Sequence, residues 1–264
     1  MDSPLISAIV LNYRSPRDTI KCVESLKRQS IASQMEIILV DNHSDDESIG
    51  WIRARYRHDS QVKIVESREN TGYGQGNMMG VKHAQGSYIL INNPDTILEE
   101  KGIETMLDAL KKDRSIGIIA PKLVFEDGSI RPSARFFPNP SELVQKRIAP
   151  ARWHTTYKER MNTSGHLQEV DWVAGACFLM EKSIFLGAGG FDPQFFLFFE
   201  DIDLCRKVHR MGKRIIYASS ITAIDRKERL SGGGILSFLT KKTAWIHLAS
   251  AMKYFWKWKG RVLS

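Results

Sequence analysis

Short apolar runs alternate with stretches of helical periodicity along the first two thirds of the chain. Buried strands are predicted over residues 5–11, 35–40 and 62–66, and a further apolar run begins at Tyr88. Between these runs, apolar residues recur at the spacing of one helix face. Strands that alternate with helices are typical of a mostly parallel sheet with helices on both faces. The pattern therefore predicts an α/β fold with a Rossmann-like sheet.

Polar residues follow the first two predicted strands, where open α/β sheets bind their ligands. They are Asn12 and Tyr13 after the first strand and Asp41 after the second. The first turn lacks the G-x-G-x-x-G sequence that a dinucleotide-binding domain needs. Glycines come after the third strand instead, in a segment that contains Asn70, Gly72, Tyr73, Gly74, Gly76 and Asn77. Glycines permit close approach of a ligand; the alternative is a glycine-rich loop of no special role.

The apolar run from Tyr88 ends in Asn93, Pro94 and Asp95. Pro94 has no amide hydrogen for a sheet, so the strand must stop there and leave Asp95 at its carboxyl end. One carboxylate, completed by substrate phosphates, is enough to hold Mg²⁺. The sequence thus favours a metal site at Asp95, and the alternative is that Asp95 caps a helix starting near Glu99.

The second half contains two candidate acceptor-side segments. Residues 170–180 are predicted to form one strand in which Gly175 and Ala176 leave room for a substrate beside Trp172, although Trp172 is equally consistent with a core residue. Further on, an aromatic run is followed by Glu200, Asp201 and Asp203. Apolar walls raise the proton affinity of a carboxylate, which suits a general base, whereas a solvated helix start would also favour acids.

In this order, the motifs resemble those of family 2 glycosyltransferases of the GT-A fold, particularly rhamnosyltransferase-like members. The resemblance covers roughly residues 5–225. It implies that Asn12, Tyr13 and Asp41 hold the nucleotide, and that the glycine segment packs around the nucleotide sugar. It also implies that the Asn93–Pro94–Asp95 motif binds the metal, as a variant with a single carboxylate.

The resemblance further implies an inverting transferase in which Asp201 takes the proton of an acceptor hydroxyl. Glu200 or Asp203 would orient this base or touch the acceptor. The donor expected from the resemblance is dTDP-L-rhamnose, followed by UDP-sugars, and the acceptor is a glycan or lipid-linked hydroxyl. Many relatives carry a metal-binding His where this chain has Asp225, which either ligates Mg²⁺ or Mn²⁺ or leaves the site without a further ligand.

Composition restricts the compartment. The chain has 42% hydrophobic and 26% charged residues, which is ordinary for a soluble protein with a sizeable core. Its three cysteines are widely spaced and odd in number, which favours a reducing compartment over a disulfide framework. We see no signal peptide and no apolar segment near the roughly 20 residues that cross a bilayer. We therefore expect a cytoplasmic protein.

The net charge of +8 resides in the last part of the chain. Residues 226–264 hold nine Lys or Arg and one acid, while residues 1–225 balance at 29 of each sign. A neutral body argues against a nucleic-acid partner. Residues 235–259 are predicted to form an amphipathic basic helix, which we expect to lie on the inner face of the cell membrane. The alternatives are packing on the body or on a second subunit of a homodimer.

We accordingly predict a GT-A domain over residues 1–225, with a nucleotide-sugar-binding half (1–97) and an acceptor and catalytic half (98–225), followed by the basic tail. The mostly parallel sheet is expected to carry a smaller antiparallel portion on the acceptor side, and Asp127 and Gly128 mark a hairpin in that half. Two other functions remain open. A nucleotidyltransferase would need a second metal carboxylate and a basic triphosphate loop near the first strand. A non-catalytic sugar-nucleotide or glycan-binding module at a membrane would release no nucleotide.

Overall fold

The computed structural model describes residues 3–137, 167–225 and 242–259. The elements within these ranges follow one another as β1 (Ile6–Asn12), α1 (Pro16–Lys27), β2 (Met35–Asp41), α2 (Ser48–Tyr56), β3 (Val62–Glu66), α3 (Gly72–His83), β4 (Tyr88–Asn92), β5 (Thr96–Leu98), α4 (Gly102–Lys112), β6 (Ile116–Phe125), β7 (Ala134–Arg135), β8 (Leu167–Val170), β9 (Trp172–Val173), β10 (Cys177–Glu181), α5 (Lys182–Gly187), α6 (Glu200–Arg210), β11 (Arg214–Asp225) and α7 (Lys242–Trp258).

One large sheet organises the described chain, with strand order β3-β2-β1-β4-β10-β6-β11-β5 and β8 beside β11. The first four strands in this order are parallel to one another, and β6 is parallel to β11. β10 runs antiparallel to both of its neighbours, and β5 and β8 run antiparallel to β11. A separate antiparallel pair joins β7 to β9. The predicted α/β fold with a mostly parallel sheet and a smaller antiparallel part is confirmed.

Both faces of the sheet are buried, which explains why its strands are continuous apolar runs rather than alternating ones. Along β1, Ile9 belongs to one core cluster, together with residues of α3, α6 and α7. The adjacent Val10 belongs to the other cluster, which includes residues of α1, α2 and α4. The strands β2 and β4 lie on either side of β1 and are parallel to it. Their carboxyl ends therefore form one edge, where the polar residues predicted from sequence converge.

The predicted single strand over residues 170–180 is interrupted in the structure. β9 ends at Val173 and β10 begins at Cys177. The backbone between them is bound from outside the sheet: the amide of Ala174 donates to the carbonyl of Ser133 at 2.6 Å, and that of Gly175 to the Asp201 carboxylate at 3.0 Å. These bonds replace ladder hydrogen bonds and end the strand.

The helix of the basic tail is present from Lys242 to Trp258, and residues 226–241 and 260–264 lie outside the described chain. One face of α7 packs on the body, where Ala251, Tyr254 and Trp258 are buried. Among the described helices we find none that is both long enough and apolar enough to cross a membrane.

Candidate active site

The ends of β1 and β2 are joined by buried polar side chains. Asn12 is fully buried, and its Nδ2 donates to Asp41 Oδ1 at 2.6 Å and to Ser44 Oγ at 3.1 Å. Its Oδ1 accepts the hydroxyl of Thr19 at 2.8 Å. The Asp41 carboxylate also accepts the Ser44 amide and hydroxyl at 3.0 and 2.7 Å. Asn12 thus orients Asp41, and nucleotide contact by either residue stays a prediction.

Tyr13 lies at the surface, directly after the end of β1, with 40% of its surface exposed. The guanidinium of Arg14 lies 5.1 Å from the centre of its ring. Arg14 has a positive φ of 54°, and its amide donates to Ser44 Oγ at 2.9 Å. An ion pair with Asp45 holds its side chain. This leaves an accessible aromatic ring next to the buried Asp41 network, and nucleotide contact by Tyr13 stays a prediction.

Asn42 ties the end of β2 to the start of the glycine segment, a role that we did not predict from sequence. Its Nδ2 donates to Asn70 Oδ1 at 3.0 Å and to the Gly72 carbonyl at 3.1 Å. Its Oδ1 accepts the amide and the hydroxyl of Thr71, both at 3.1 Å. All of these bonds are made by one buried side chain. Asn42 therefore fixes the segment against the strand end.

The glycine segment is also pressed against the aromatic segment that precedes α6. The amide of Tyr73 donates to the Phe196 carbonyl at 2.8 Å. Gly72 has a φ of +81°, and a Cβ there would lie 2.1 Å from that carbonyl oxygen. Only glycine combines this φ with so close an approach. Gly72 therefore joins two segments that are predicted to form the donor and acceptor sides of the site.

The rest of the motif lies within α3, which packs on the sheet. A Cβ on Gly76 would come within 2.6 Å of a Leu11 methyl group, and one on Gly74 within 3.0 Å of the Phe191 side chain. Asn77 is buried and donates to the Tyr73 carbonyl at 3.0 Å. These contacts give the three residues a packing role, and their contact with a nucleotide sugar stays a prediction.

Asp95 lies at the carboxyl end of β4, half-buried, and is followed directly by β5. Burial raises the pKa of its carboxyl to about 6, with a smaller contribution from the charge of Asp225. The alternative of a helix cap is wrong, because a strand follows Asp95 and α4 begins only at Gly102. Asp95 Oδ1 and Asn93 Oδ1 are buried and accept no hydrogen bond from the described residues. Buried acceptors of this kind call for a partner.

Asp225 lies beside this strand end but is occupied by protein partners. It pairs across the sheet with Thr96, whose hydroxyl donates to Asp225 Oδ1 at 3.2 Å. Its other oxygen forms an ion pair with Arg131, and the carboxylate is only 2% exposed. The structure thus gives Asp225 the role of holding Arg131 near Asp95. Its service as a metal ligand stays a prediction.

The described residues contain no group of three or more His, Cys, Asp and Glu side chains that could hold a metal ion. Asn93 and Asp95 nevertheless fit a hard cation, because each presents a buried oxygen that accepts no hydrogen bond from the described part of the chain, and Mg²⁺ and Mn²⁺ prefer oxygen ligands. Magnesium commonly takes one or two carboxylates and completes its shell with substrate phosphates and water. The strand end is consistent with this mode of binding.

Tyr73 connects the donor edge with the acidic pair at the start of α6. Its hydroxyl donates to the Gly175 carbonyl at 2.6 Å. Burial raises the pKa of the Tyr73 hydroxyl well above its usual value, and three nearby carboxylates raise it further. They belong to Glu200, Asp201 and Asp95. The structure therefore brings the predicted metal carboxylate and the predicted catalytic pair around one side chain.

The acidic pair is held by an unusual backbone turn. Phe198 and Phe199 precede it with φ values of 68° and 71°, a rare conformation for bulky residues. Asp201 accepts the Gly175 amide at 3.0 Å on one oxygen and the Ile202 amide at 2.8 Å on the other.

Burial is the main cause of a raised pKa in both carboxyls of the pair. The charge of Asp201 adds to the rise in the pKa of Glu200, whereas the two amides and the charge of Arg135 oppose the rise in the pKa of Asp201. Glu200 is only 4% exposed, and its Oε2 accepts no hydrogen bond from the described residues. A solvated helix start does not explain acids in this environment.

The predicted acceptor residues divide into two groups. Gly175 lies against Tyr73 and Asp201, since a Cβ there would be 3.2 and 3.5 Å from their side chains. The carbonyl of Ala176 accepts the Asn93 amide at 2.7 Å. Both residues thus belong to the site. Acceptor contact by Gly175 and Ala176 stays a prediction.

Trp172 and Asp203 have other partners in the structure. Trp172 is buried, donates its Nε1 to the Phe136 carbonyl at 2.9 Å and carries the guanidinium of Arg135 over its ring at 5.2 Å. Asp203 is fully buried and accepts the indole Nε1 of Trp258 at 2.9 Å. These contacts describe packing roles for both residues. Their contact with an acceptor stays a prediction.

Comparison with known proteins identifies the family. Residues 7–203 match the model described as Glycosyl transferase family 2. The chain belongs to glycosyl transferase family 2. This transferase is 28% identical over 242 residues to the N-acetylglucosaminyl-diphospho-decaprenol L-rhamnosyltransferase of Mycobacterium tuberculosis, an alignment that covers 84% of the chain and 77% of the relative. It is also 28% identical over 191 residues to the rhamnosyltransferase WbbL of Escherichia coli K12, with 69% of each covered.

Solved structures confirm the GT-A fold of this family 2 transferase. GalNAc-T7, solved with UDP, GalNAc and Mn²⁺, superposes with a TM-score of 0.65 at 16% identity over 90% of the chain. Staphylococcus aureus TarS 1–349 in complex with UDP-GlcNAc gives 0.59 at 17% identity over 85% of the chain. The transferase spans 47% of the former protein and 59% of the latter. The predicted resemblance to family 2, rhamnosyltransferase-like proteins is confirmed.

Two arginines of this family 2 site were not predicted from sequence. Arg131 reaches Asp225, and Arg135 lies close enough to Asp201 that its charge affects the pKa of that carboxyl. Both follow the turn at Asp127 and Gly128, which the sequence marks as a hairpin. Arg131 and Arg135 stand near the two ends of the short segment that follows that turn. A basic residue at each of these positions was the signal in the sequence that could have identified them.

Proposed function

We propose that this transferase moves a sugar with inversion at the anomeric carbon, and that the sugar is L-rhamnose from dTDP-L-rhamnose. The acceptor we propose is a hydroxyl of a glycan or lipid-linked saccharide in bacterial cell-surface polysaccharide synthesis. The observation that carries the proposal is the contact of both motifs with residues 175–176, where the Gly175 amide donates to Asp201 at 3.0 Å and the Ala176 carbonyl accepts the Asn93 amide at 2.7 Å. The two rhamnosyltransferase relatives support the choice of donor.

The proposed donor site is the edge formed by β1, β2 and β4. The nucleotide base stacks on the exposed ring of Tyr13, and the ribose meets the Asp41 carboxylate, which Asn12 and Ser44 hold in place. This puts the diphosphate toward Asp95 and the guanidinium of Arg131, whose side chain is 29% exposed, a donor suited to phosphate oxygens. A divalent cation bound by Asp95 and Asn93 would neutralise charge on the departing diphosphate.

The proposed general base is Asp201. Backbone amides of Gly175 and Ile202 each occupy one of its oxygens, and each oxygen keeps a further lone pair for the proton of an acceptor hydroxyl. Burial raises the pKa of this carboxyl toward the range in which a base works at neutral pH. The deprotonated oxygen attacks the anomeric carbon as the nucleoside diphosphate leaves on the opposite side. Glu200, almost fully buried beside Asp201, orients this base.

We also infer that the transferase lies peripherally on the inner face of the cell membrane. The outer face of α7 exposes Trp245, Leu248 and Met252 at 59%, 38% and 61%, with the exposed Lys242 nearby. Basic amphipathic helices of this kind bind anionic lipid surfaces. Sedimentation with phosphatidylglycerol vesicles tests this inference, and we expect binding that Met252→Asp abolishes. If the protein sediments with neither phosphatidylglycerol nor phosphatidylcholine vesicles, the inference is wrong.

A donor screen tests the proposed reaction. Release of nucleoside diphosphate is measured for dTDP-L-rhamnose, UDP-sugars and GDP-sugars, with and without a polyprenyl-diphosphate-linked saccharide, in Mg²⁺ or Mn²⁺ and again in EDTA. We expect acceptor-dependent release from dTDP-L-rhamnose that EDTA suppresses. Asp108→Asn, on the exposed face of α4, serves as a surface control and keeps the wild-type rate.

Other outcomes of the screen separate the parts of the proposal. Release from a UDP-sugar alone would retain glycosyl transfer and replace the donor. Equal rates in EDTA would remove the cation from the mechanism. No release from any donor, in the presence of binding to one of them, would identify a sugar-nucleotide-binding module instead.

A further inference from the structure

The turn before the acidic pair needs support from its surroundings. Phe198 and Phe199 both have positive φ, a backbone region that is strained for bulky residues. Such a conformation persists only when the packing around it over-determines it. Because Glu200 and Asp201 come next in the chain, the same packing decides where their carboxylates point.

The C-terminal helix α7 supplies much of this packing. The His247 ring lies 5.1 Å from that of Phe198 and 5.3 Å from that of Phe199, and the Tyr254 ring lies 5.4 Å from Phe199. The hydroxyl of Ser250 donates to the carbonyl of Leu197 at 2.8 Å. Both sides of the turn are therefore held by one helix.

Asp203 fastens the same helix to the first turn of α6. Its fully buried carboxylate accepts Trp258 Nε1 at 2.9 Å and lies 2.7 Å from the ammonium of Lys257. Lys207 of α6 is 3.4 Å away. A buried carboxylate depends on such partners, since removing one leaves a desolvated charge uncompensated. Lys257 also pairs with Asp192 at 2.5 Å, so α7 contacts both ends of the segment from residue 192 to residue 203.

We propose that α7 is a positioning element for the acidic pair, acting through Asp203 and through the Phe198–Phe199 turn. The family match ends at residue 203, so α7 lies beyond the part of the chain that the family model covers. The proposal rests on the proposed function, which makes Asp201 the base. Trp258 and Tyr254 are positioning residues, because they act on the site only through other side chains.

The geometry predicts that chemistry and donor binding respond differently. The contacts of α7 named above lie on residues 192–203, whereas the proposed donor edge is built from β1, β2 and β4. Loosening α7 should displace Asp201 and leave the nucleotide edge intact. A displacement of about 1 Å lowers turnover by as much as about a hundredfold.

The experiment compares Trp258→Phe, which keeps a ring and loses the indole donor to Asp203, with Trp256→Phe. Trp256 lies on the same helix and is 81% exposed. Turnover of dTDP-L-rhamnose is measured with the saccharide acceptor but without lipid vesicles, and dTDP affinity by calorimetry. We expect kcat of Trp258→Phe to fall about ten- to a hundredfold while its Kd for dTDP stays within about a factor of two. Trp256→Phe should match wild type in both.

A double variant tests whether Trp258 acts through Asp203. If it does, Trp258→Phe combined with Asp203→Asn lowers kcat by less than the product of the single effects. If the double variant lowers kcat by the full product of the two single effects, Trp258 does not act through Asp203 and the proposal is wrong. A merely structural role would lower the fraction of binding-competent protein and leave kcat per binding site unchanged, which would also overturn it.

Hydrogen–deuterium exchange over residues 196–204 gives a readout that needs no donor. We expect faster exchange of the Ile202 amide, which is bonded to Asp201, in Trp258→Phe than in Trp256→Phe or wild type. Unchanged exchange would refute the positioning role even if turnover fell. Faster exchange in a protein that releases no nucleotide from any donor would retain the link between α7 and the turn and reject the proposed function instead.

Discussion

Replacing Gly72 with alanine tests the junction between the two halves of the site. The residue has a φ of +81°, and the new methyl would lie 2.1 Å from the carbonyl oxygen of Phe196 and 2.8 Å from its carbonyl carbon. Neither partner is the end of a flexible side chain. The methyl must therefore push the backbone of residue 196 away from α3, and the 2.8 Å hydrogen bond from the Tyr73 amide to that carbonyl is lost.

The expected cost of Gly72→Ala follows from these contacts. A left-handed conformation costs a non-glycine residue roughly 1–2 kcal/mol, and the lost hydrogen bond costs about 1 kcal/mol. Alanine also lowers the entropy of the unfolded chain, which offsets at most about 1 kcal/mol of this loss. The net loss is about 2 kcal/mol before any strain from displacing the Phe196 backbone. For a chain of this size such a loss lowers Tm by roughly 4–8 °C.

Gly50→Ala is the matched control. Gly50 lies in α2, is exposed, and a Cβ there meets no atom of the described residues within 4 Å. Alanine in an exposed helix is worth about 0.5–1 kcal/mol over glycine, so this variant should be slightly more stable than wild type. Both are compared by urea unfolding, followed by circular dichroism and tryptophan fluorescence. Equal midpoints for Gly72→Ala and wild type would refute the close contact with Phe196.

Two further perturbations test the carboxylates beside β4. Burial and the charge of Asp225 raise the pKa of Asp95 to about 6. Between about pH 4 and pH 6 the folded chain therefore keeps a proton on Asp95 that the unfolded chain has lost, and the free energy of unfolding falls as pH rises through this window. In EDTA, Asp95→Asn should therefore gain more over wild type in thermal midpoint at about pH 8 than at about pH 4.5; equal gains would contradict this. Arg131→Met removes the guanidinium partner of buried Asp225 and should cost about 3 kcal/mol in urea. Adding Asp225→Asn should recover most of that loss, and no recovery would exclude the ion pair as its cause.

The strand ends were predictable because local chemistry determines them. The apolar run of β4 and the proline after it specify a buried strand that stops before Asp95, whatever the rest of the chain does. The ends of β1 and β2 follow from the same pattern. Adjacent parallel strands then bring their polar residues to one edge without any further information.

Residues whose roles depend on distant partners were not predictable in this way. The partners of Asn42 lie 28 to 30 residues away, Arg131 meets Asp225 across 94 residues, and Trp258 reaches Asp203 across 55. Each contact requires a sheet register or a helix docking that periodicity does not encode. Asp203 shows the consequence: its position next to the acidic pair indicated an acceptor role, whereas the described contacts direct it toward α7.

The same limit applies to residues 170–180. Their apolar composition indicated one continuous strand, but the amide of residue 174 donates to the Ser133 carbonyl and the amide of residue 175 to the Asp201 carboxylate. A side chain 26 residues further along therefore decides where the strand breaks. This break is also what exposes the Gly175 carbonyl to the hydroxyl of Tyr73.

The identity of the general base is the central claim, and Asp201→Asn tests it most directly. We would measure single-turnover rates of dTDP-L-rhamnose with acceptor, and dTDP affinity, for Asp201→Asn and for the surface control Asp108→Asn. A positioned general base contributes about 10²- to 10⁴-fold, so the first variant should lose that much rate while binding dTDP as wild type does. A rate for Asp201→Asn within a few-fold of the control would contradict the assignment.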